Sequence, residues 1–269
     1  LIGMASTTYH LFEDSLYKGK NLTSGDTIIM KFDKKDLDDI VVDGGSQGEY
    51  VPNKKTNDSD FPLIYSADRI DYFLKTETTK LIGNAKAKHE NTDLKAGFIE
   101  VNWPTRILNA FPKQPRDSIN QFIKPTIIEK GRDPMVGNEM TYNLDTKKGK
   151  INYGKTKADD GFYKGKEIRN ESDKTIYIKN SIFTTCDLDT PHFHFESNKM
   201  KIIQDDVVIA KPIILKIAEI PLFGIPLSIF PHQGGRRHSG WIMPAYGESK
   251  SRGQYIDCLL YTSPSPRDP

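Results

Sequence analysis

One stretch of the chain matches a phosphate-binding pattern, and its surroundings argue against that chemistry. Residues 149–156 satisfy Gly-x4-Gly-Lys-Thr, in which backbone N–H groups hold phosphates at the start of a helix. Residues 151–153, Ile-Asn-Tyr, are instead typical of a strand, and the residues after Thr156 contain glycine breaks and no apolar helical face. We interpret the match as coincidence and expect no nucleotide.

Histidines and acidic pairs offer the other possible chemistry. His192 and His194 alternate along a strand-like run, so both could reach one zinc ion, with Cys186 close in sequence. A fourth ligand is missing, and two histidines on the wetter face of a strand are the simpler interpretation. Neighbouring aspartates, as at 38–39 and 205–206, point to opposite faces and are typical of solvated turns. The sequence predicts no catalytic residue, metal or cofactor.

Apolar side chains at alternate positions form a larger group. They are Ile176, Ile178, Phe193, Phe195, Ile202, Val207 and Ile209. Alternation places such residues on one face of a strand. That face could be ordinary sandwich core, or it could line a groove between two incompletely closed sheets that accepts acyl chains. The pattern alone leaves both interpretations open.

Composition indicates a thin, elongated β-structure with a large wet surface. The 269 residues are 36% hydrophobic and 28% charged, which is low in apolar content for a compact enzyme, whereas 10% aromatic residues argue against disorder. The net charge of +2, from 38 basic and 36 acidic residues, is too balanced for a protein that binds nucleic acid. No run of about 18 apolar residues is present, which excludes a transmembrane helix but not a transmembrane strand.

Short β-like runs separated by polar turns must position these residues. Runs such as 27–32 and 175–183 carry β-favouring residues, and no segment keeps a helical period. This spacing predicts an all-β sandwich, roll or solenoid. The similarity of 68–81 to 138–148 further indicates stacked hairpin rungs. The proline-rich stretch 102–134 lacks this rhythm, and we interpret it as an excursion from the stack.

Residues 220–247 are apolar but are interrupted by prolines at 221, 226, 231 and 244. Each proline fixes φ and lacks a backbone donor, so none fits inside a central strand. We interpret the stretch as a transition between two architectures. Arg236 and Arg237, followed by Trp241 and Tyr246, are typical of the charged and aromatic collar where a strand meets a membrane surface.

This stretch resembles the junction of the LPS-assembly outer-membrane proteins, the LptD or OstA family. There a run like Pro-x4-Pro-x4-Pro precedes Arg-x-Ser-Gly-aromatic-x-x-Pro. The matching residues are Pro221, Pro226, Pro231, Arg237, Ser239, Gly240, Trp241 and Pro244. His238 departs from the commoner Arg-Arg-Ser-Gly form. The strings Thr-Thr-Cys-Asp at 184–187, Pro-His-Phe at 191–193 and Gly-Phe-Tyr-Lys-Gly at 161–165 are also similar to the family.

The resemblance implies an all-β fold in three parts. An OstA-like β-jellyroll, or taco, of stacked antiparallel hairpins would occupy 1–215. A proline-rich junction and the first strand of a transmembrane β-barrel would follow over 216–257. Residues 258–268 resemble the translation of a sequencing adapter, so we predict that 258–269 is an artefact. The chain starts at Leu1, and we expect that it is a fragment at both ends.

The resemblance also implies a function without catalysis. It implies lipopolysaccharide transport and insertion into the outer membrane, with acyl chains held by the seven alternating apolar residues. The partners implied are lipopolysaccharide, a periplasmic bridge protein of the same fold that docks by strand addition, and a lipoprotein plug inside the barrel. The chain would lie mainly on the periplasmic side of the cell outer membrane.

Individual junction residues gain roles from the resemblance. The predicted gate and junction residues are Pro226, Pro231, Arg236, Arg237, Gly240, Trp241 and Pro244. Pro244 would begin the first barrel strand, where a missing ladder hydrogen bond weakens the seam and lets it open laterally; it could equally mark only a strand entrance. The two arginines could meet lipid phosphates or anchor the membrane edge. Cys186 would pair with a cysteine of the distant barrel, and a half-buried free thiol is its alternative.

Two other functions remain open at this point. A soluble periplasmic lipopolysaccharide bridge protein of the same fold would need no barrel junction. A polysaccharide-modifying enzyme on a β-solenoid would place acidic and basic side chains together in a cleft.

Overall fold

The computed structural model describes residues 2–13, 16–33, 36–53, 61–113, 123–131, 133–158, 161–172, 175–188, 190–203, 206–231, 240–241, 245–249, 253–257 and 260–261. Within these ranges every long regular element is a β-strand, and we find no helix of the length and apolarity that crossing a bilayer requires. Strands pair antiparallel throughout, so the predicted all-β fold of stacked antiparallel hairpins is confirmed.

The chain divides into two compact units, Leu1–Ala158 (unit 1) and Asp159–Pro269 (unit 2). Unit 1 contains β1 (Ile2–Glu13), β2 (Leu16–Asp33), β3 (Asp36–Pro52), β4 (Leu63–Phe73), β5 (Thr78–His89), β6 (Thr92–Asn102), β7 (Ile107–Phe111), β8 (Thr126–Glu129), β9 (Met135–Val136), β10 (Glu139–Asn143) and β11 (Gly149–Ala158). Unit 2 contains β12 (Gly161–Ser172), β13 (Thr175–Thr184), β14 (Phe193–Ile203), β15 (Val207–Lys211), β16 (Ile213–Ile217), β17 (Ile220–Ile225), β18 (Ser228–Pro231), β19 (Gly240–Trp241), β20 (Ala245–Ser249), β21 (Gly253–Asp257) and β22 (Leu260–Tyr261). Unit 2 therefore includes the end of the predicted jellyroll region and the predicted junction.

Unit 1 is a meander in which each strand from β1 to β6 pairs with the next. Beyond β6 each rung consists of two shorter strands. β7 and β8 pair with the two halves of β6. β10 then pairs with β7, and β9 pairs with β8. The long strand β11 pairs with both β10 and β9. Two strands of the predicted excursion 102–134, β7 and β8, thus lie in the sheet; residues 114–122 between them lie outside the described residues.

The long strands of unit 1 bend at one level. Their pairing register shifts between Ser24 and Thr27, between Asp43 and Ser46, between Ser66 and Arg69, and between Ile82 and Ala85. Such shifts mark β-bulges, which bend a strand. Gly44 and Gly83 adopt φ of 77° and 76° at this level, a region that favours glycine. Each strand consequently has two arms, one on either side of the bend.

The bend keeps one face of each strand turned inward. In β4, Tyr65 lies before the bend and Tyr72 after it, and both are buried. They are seven positions apart, so strict alternation would have put them on opposite faces. The extra residue in the bulge restores the facing, and the two arms of unit 1 share one interior.

Unit 2 bends its strands in a related way. β12, β13 and β14 pair in sequence order. Asn180 of β13 has φ of 47°, and Ile178 before it and Ser181 after it are both buried. Beyond β14 each rung is again split: β16 and β15 pair with its two arms, and β17 and β18 pair with β16 and β15.

The prolines of unit 2 lie where a ladder tolerates them. Pro212 separates β15 from β16, and Pro226 separates β17 from β18. Pro221 lies in β17 beside a register shift, and Pro231 is the last residue of β18. At breaks, bulges and strand ends the missing N–H costs no regular hydrogen bond. The remaining described strands form two short pairs, β19 with β22 and β20 with β21.

Candidate functional site

An apolar row crosses four strands on the interior face of unit 2. Ile168 lies opposite Ile178, Ile178 opposite Met200, and Met200 opposite Ala210. These side chains are 3, 3, 3 and 0% exposed in that order. Opposite residues of an antiparallel ladder have Cβ atoms about 5 Å apart, so the row is continuous. A second row on the same arms joins Ile176, Ile202 and Val208.

The other arms of unit 2 carry larger, aromatic side chains. Phe183 lies opposite Phe195 with ring centroids 6.5 Å apart, and the ring of Tyr163 is 4.7 Å from that of Phe183. Leu215 continues the row opposite Phe195, and Phe223 follows opposite Leu215. Phe223 is 43% exposed. Burial of the interior face therefore decreases toward β17.

The structure brings together five of the seven alternating apolar residues. Ile176, Ile178, Phe193, Phe195 and Ile202 lie on the interior face. Val207 and Ile209 do not, because Ile209 lies opposite Lys201, which lies opposite Tyr177 on the outer face. The prediction that these two share a face with the others is wrong, and Val208 and Ala210 occupy the interior positions.

The error has a simple cause. Residues 207–209 are Val-Val-Ile, so the run is apolar on both faces. A one-residue slip of register exchanges the faces of a strand, and only the pairing of Ile202 with Val208 decides between them. Sequence reasoning also missed Ile168 and Met200, which a local signal could have found: each is apolar between charged neighbours, Glu-Ile-Arg and Lys-Met-Lys.

Polar groups at the bend of unit 2 are paired with each other. The Ser181 hydroxyl donates to the Ser197 carbonyl at 3.1 Å, and the Ser197 hydroxyl accepts from the Lys211 N–H at 3.1 Å. Both serines are buried. Asn170, opposite Ile176, differs, since its side-chain oxygen is buried with no hydrogen-bond partner among the described residues. As far as the structure describes it, the interior face of unit 2 is thus apolar apart from the paired serines and the Asn170 oxygen.

The interior of unit 1 contains a hydrogen-bonded tyrosine cluster. The Tyr65 hydroxyl donates to the Asn21 side-chain oxygen and lies 3.1 Å from the Tyr72 hydroxyl, which donates to Thr23 Oγ1 at 2.9 Å. Burial raises the pKa of Tyr72 to about 12. Burial likewise raises the pKa values of Tyr65 and Tyr9 well above the ordinary value. These phenols are neutral at physiological pH.

Trp103 extends this cluster across the interior of unit 1. Its indole N–H donates to Thr79 Oγ1 at 2.8 Å, and its ring centroid is 4.5 Å from that of Tyr50. Tyr50 lies on β3 beyond the bend, whereas Thr79 lies on the other arms. Since side chains from both arms meet here, they fill the space between the arms.

Of the candidate metal ligands, Cys186 and His192 lie close together, and His194 does not join them. Cys186 is a free, half-buried thiol whose Sγ lies 3.9 Å from His192 Nδ1. His194 is buried, with Nδ1 3.8 Å from Glu219 Oε1, so the expectation of a wetter face is wrong for His194. No three metal-binding side chains converge anywhere in the described ranges. The disulfide role of Cys186 stays a prediction.

The phosphate-binding pattern lies inside β11. Gly149 pairs with Tyr142 of β10, and Lys155 and Thr156 pair with β9. The next element is the strand β12. Since the pattern begins no helix, it lacks the turn whose N–H groups would hold a phosphate.

The predicted junction residues are only partly described. Pro226 and Pro231 flank β18 as given above, and Gly240 and Trp241 form β19, opposite Tyr261 and Leu260. Arg236, Arg237 and Pro244 lie outside the described residues. Their roles at a membrane edge or gate stay predictions.

Comparison with known proteins finds a family match for the C-terminal part of the chain. Residues 208–261 match the model of the LptD protein family. Among solved structures, a similar one is LptH of Pseudomonas aeruginosa, an LptA homologue described as a periplasmic component of the lipopolysaccharide transport device. It has 16% identity and a TM-score of 0.36, over 46% of this chain and 94% of that one, values that do not establish a shared fold. No curated protein matches the sequence. The family match confirms the resemblance at the junction: residues 208–261 are similar to the LptD protein family.

Proposed function

We propose that the chain takes part in lipopolysaccharide transport and insertion into the outer membrane. The interior face of unit 2 holds the acyl chains, and the junction passes the lipid to a seam in a barrel that opens laterally near Pro244. The chain performs no catalysis. It is a component of the outer membrane that lies mainly on the periplasmic side.

The observation that carries this proposal is the apolar row from Ile168 to Ala210, with its aromatic continuation on the other arms. Strands lie about 4.8 Å apart, so four strands give a track roughly 14 Å long, perpendicular to the strands. Acyl chains have no directional polar groups and need only such a surface. The same unit contains the segment that matches the LptD family.

Two features of the face suit a lipid better than a sugar substrate. The side chains that line it are aliphatic and aromatic, whereas the enzymatic alternative requires converging acidic and basic groups. The unpartnered oxygen of Asn170 gives one acceptor for a hydroxyl or amide N–H carried by a lipid. Phe223 of β17 is 43% exposed, so acyl chains enter or leave the interior face at this strand.

The partners follow from the same proposal. A periplasmic bridge protein of the same fold docks by adding a strand to an open sheet edge and delivers lipopolysaccharide. A lipoprotein plug occupies the barrel that follows the junction.

A pair of variants in the full-length protein tests the proposal. Ile202→Asp places a carboxylate on the interior face, whereas Ile209→Asp places the same group on the outer face of the adjacent strand. Desolvating a charge costs several kcal/mol, so Ile202→Asp is expected to lower delivery of lipopolysaccharide to the cell surface at least about tenfold. Ile209→Asp is expected to deliver normally.

Circular dichroism and the amount of protein in the outer membrane serve as the check that both variants fold. If both folded variants deliver lipopolysaccharide normally, the proposed role of the interior face is contradicted. Equal loss in both also contradicts it, because the effect would then not depend on the face.

A further inference from the structure

The outer face of unit 2 carries a basic groove. The groove has a volume of about 620 Å³, and four basic side chains, Arg169, Lys179, Lys199 and Lys201, line it together with Tyr177 and two carboxylates, Glu167 and Glu171. These residues alternate with the interior row, since Lys179 follows Ile178 and Lys199 precedes Met200. The charged side chains of the groove and the side chains of the apolar row therefore point to opposite faces of the same strands.

Three lysines lie directly opposite one another on this outer face, and two of them, Lys179 and Lys199, line the groove. Lys179 of β13 pairs with Lys199 of β14, and Lys199 pairs with Lys211 of β15. Like charges in directly opposed positions destabilise a sheet. An anion bound between them removes that repulsion, so the row is suited to a negatively charged ligand.

The carboxylates of the groove pair with only one member of this row, Lys179, and leave Lys199 and Lys211 without an ion pair among the described residues. Glu167 Oε1 forms ion pairs with Lys179 Nζ and with Arg169 Nε, at 2.8 Å each. Within the part of the chain that the structure describes, no carboxylate lies within ion-pair distance of Lys199, Lys201 or Lys211. Lys201 instead lies over the ring of Tyr177, with Nζ 5.5 Å from the centroid. Three ammonium groups are thus available to a ligand on one exposed surface.

We propose that this basic groove binds the phosphate groups of anionic phospholipids at the membrane surface. Lysine ammonium groups bind phosphate as point charges, and basic residues next to a membrane attract its anionic lipids. Tyr177 on the same face adds the aromatic contact that favours the interface between water and lipid. The inference rests on the proposed function, because that function puts unit 2 beside the outer membrane.

The phosphates of the transported lipid fit this groove less well. A lipid whose acyl chains lie along Ile178 and Met200 is on the interior side of β13 and β14, and the sheet itself separates it from Lys199. A lipid of the surrounding membrane approaches the outer face without crossing the sheet.

Vesicle flotation of the full chain tests the groove. The vesicles contain either phosphatidylcholine alone or phosphatidylcholine and phosphatidylglycerol in equal parts. The triple variant K199Q/K201Q/K211Q is compared with K86Q/K88Q/K95Q, which removes three exposed lysines of unit 1. We expect the unaltered chain to float with the anionic vesicles only, and the groove variant to bind them on the order of fiftyfold more weakly. The unit 1 variant is expected to bind within about threefold of the unaltered chain.

Three results overturn the proposal. One is unchanged flotation of the groove variant, and another is equal loss in both triple variants, which would reflect net charge alone. The third is saturable calorimetric binding of inorganic phosphate that the groove mutations abolish without affecting flotation, which would make the groove a site for free anions. No lipopolysaccharide is present in this assay, so its failure is separate from failure of the transport proposal.

Discussion

In unit 1 the space between the two arms is filled by buried tyrosine and tryptophan side chains that hydrogen-bond within the interior. In unit 2 the interior face consists of the apolar row from Ile168 to Ala210 and of its aromatic continuation, which ends at the exposed Phe223. Tyr65 and Tyr72 are each 1% exposed, against 43% for Phe223. Both units are made of bent strands with one face turned inward. The difference teaches that the bend sets the architecture, while the residue types on the inner face decide whether it is a hydrogen-bonded aromatic core or an apolar face that is exposed at one end.

Truncating one interior side chain in each unit gives the largest contrast. Leu81 in unit 1 is fully buried, so Leu81→Ala is expected to lower the free energy of unfolding by about 2–5 kcal/mol. Phe223→Ala in unit 2 removes a side chain that is already in contact with water and is expected to cost about 1 kcal/mol or less. Urea denaturation of the two variants measures both values. Similar losses would mean that the end of the unit 2 row is as sealed as the unit 1 core.

Alkaline pH is expected to act on unit 1 first. The pKa of Tyr72 is raised from 10.0 to about 12, so the stability gained by keeping it neutral is complete below pH 10. That stability is lost as the pH rises through about 12, and it amounts to about 2–3 kcal/mol for this residue. Tyrosine absorbance and tryptophan fluorescence followed against pH report the transition. Ionisation of all tyrosines near pH 10 without unfolding would contradict a closed cluster.

Removing one hydroxyl from the cluster is expected to have a smaller effect. Tyr72→Phe removes the hydroxyl that donates to Thr23 and that lies beside the Tyr65 hydroxyl. It is expected to lower the free energy of unfolding by about 1–3 kcal/mol. Tyr177→Phe, on the outer face of unit 2, is the matched control and is expected to change stability by about 0.5 kcal/mol or less. Thermal unfolding compares the two. If Tyr177→Phe lowered the stability as much as Tyr72→Phe, burial of the hydroxyl would not explain the effect at Tyr72.

The smallest expected effect belongs to the outer ion pairs of unit 2. Glu167→Gln removes the negative charge that pairs with Arg169 and Lys179, whose side chains are 45% and 54% exposed. Water screens both pairs, so the loss is expected to be about 1 kcal/mol or less. Denaturation at low and high salt provides the check, since the difference between the variant and the unaltered chain should shrink in high salt. A loss as large as that of Leu81→Ala would assign these pairs a structural role in the sheet.

Sequence predicts the fold class of this chain well because turn residues and β-favouring runs are local signals. The alternation around Ile176 and Ile178, or Phe193 and Phe195, likewise predicts a shared face correctly. It fails at 207–209, where apolar residues occupy both faces and only pairing with β14 sets the register. The proline positions are understood only once the split rungs at Pro212 and Pro226 are seen.

The tyrosine cluster of unit 1 is beyond sequence reasoning for a different reason. Tyr65 meets Asn21, 44 positions earlier in the chain, and Tyr72 meets Thr23, 49 positions earlier. These contacts depend on bulges that place Tyr65 and Tyr72 on the same face despite their odd spacing. Gly44 and Gly83 make two of the bends possible, but a glycine in a strand does not by itself show which way the chain turns.

Photo-crosslinking in the full-length protein tests the central claim most directly. A photoreactive residue is placed at Phe195 on the interior face of unit 2, and at Ile209 on the outer face. We predict that lipopolysaccharide is labelled from position 195 and not from position 209. Labelling from 209 with none from 195 would contradict the claim that acyl chains travel along the interior of unit 2.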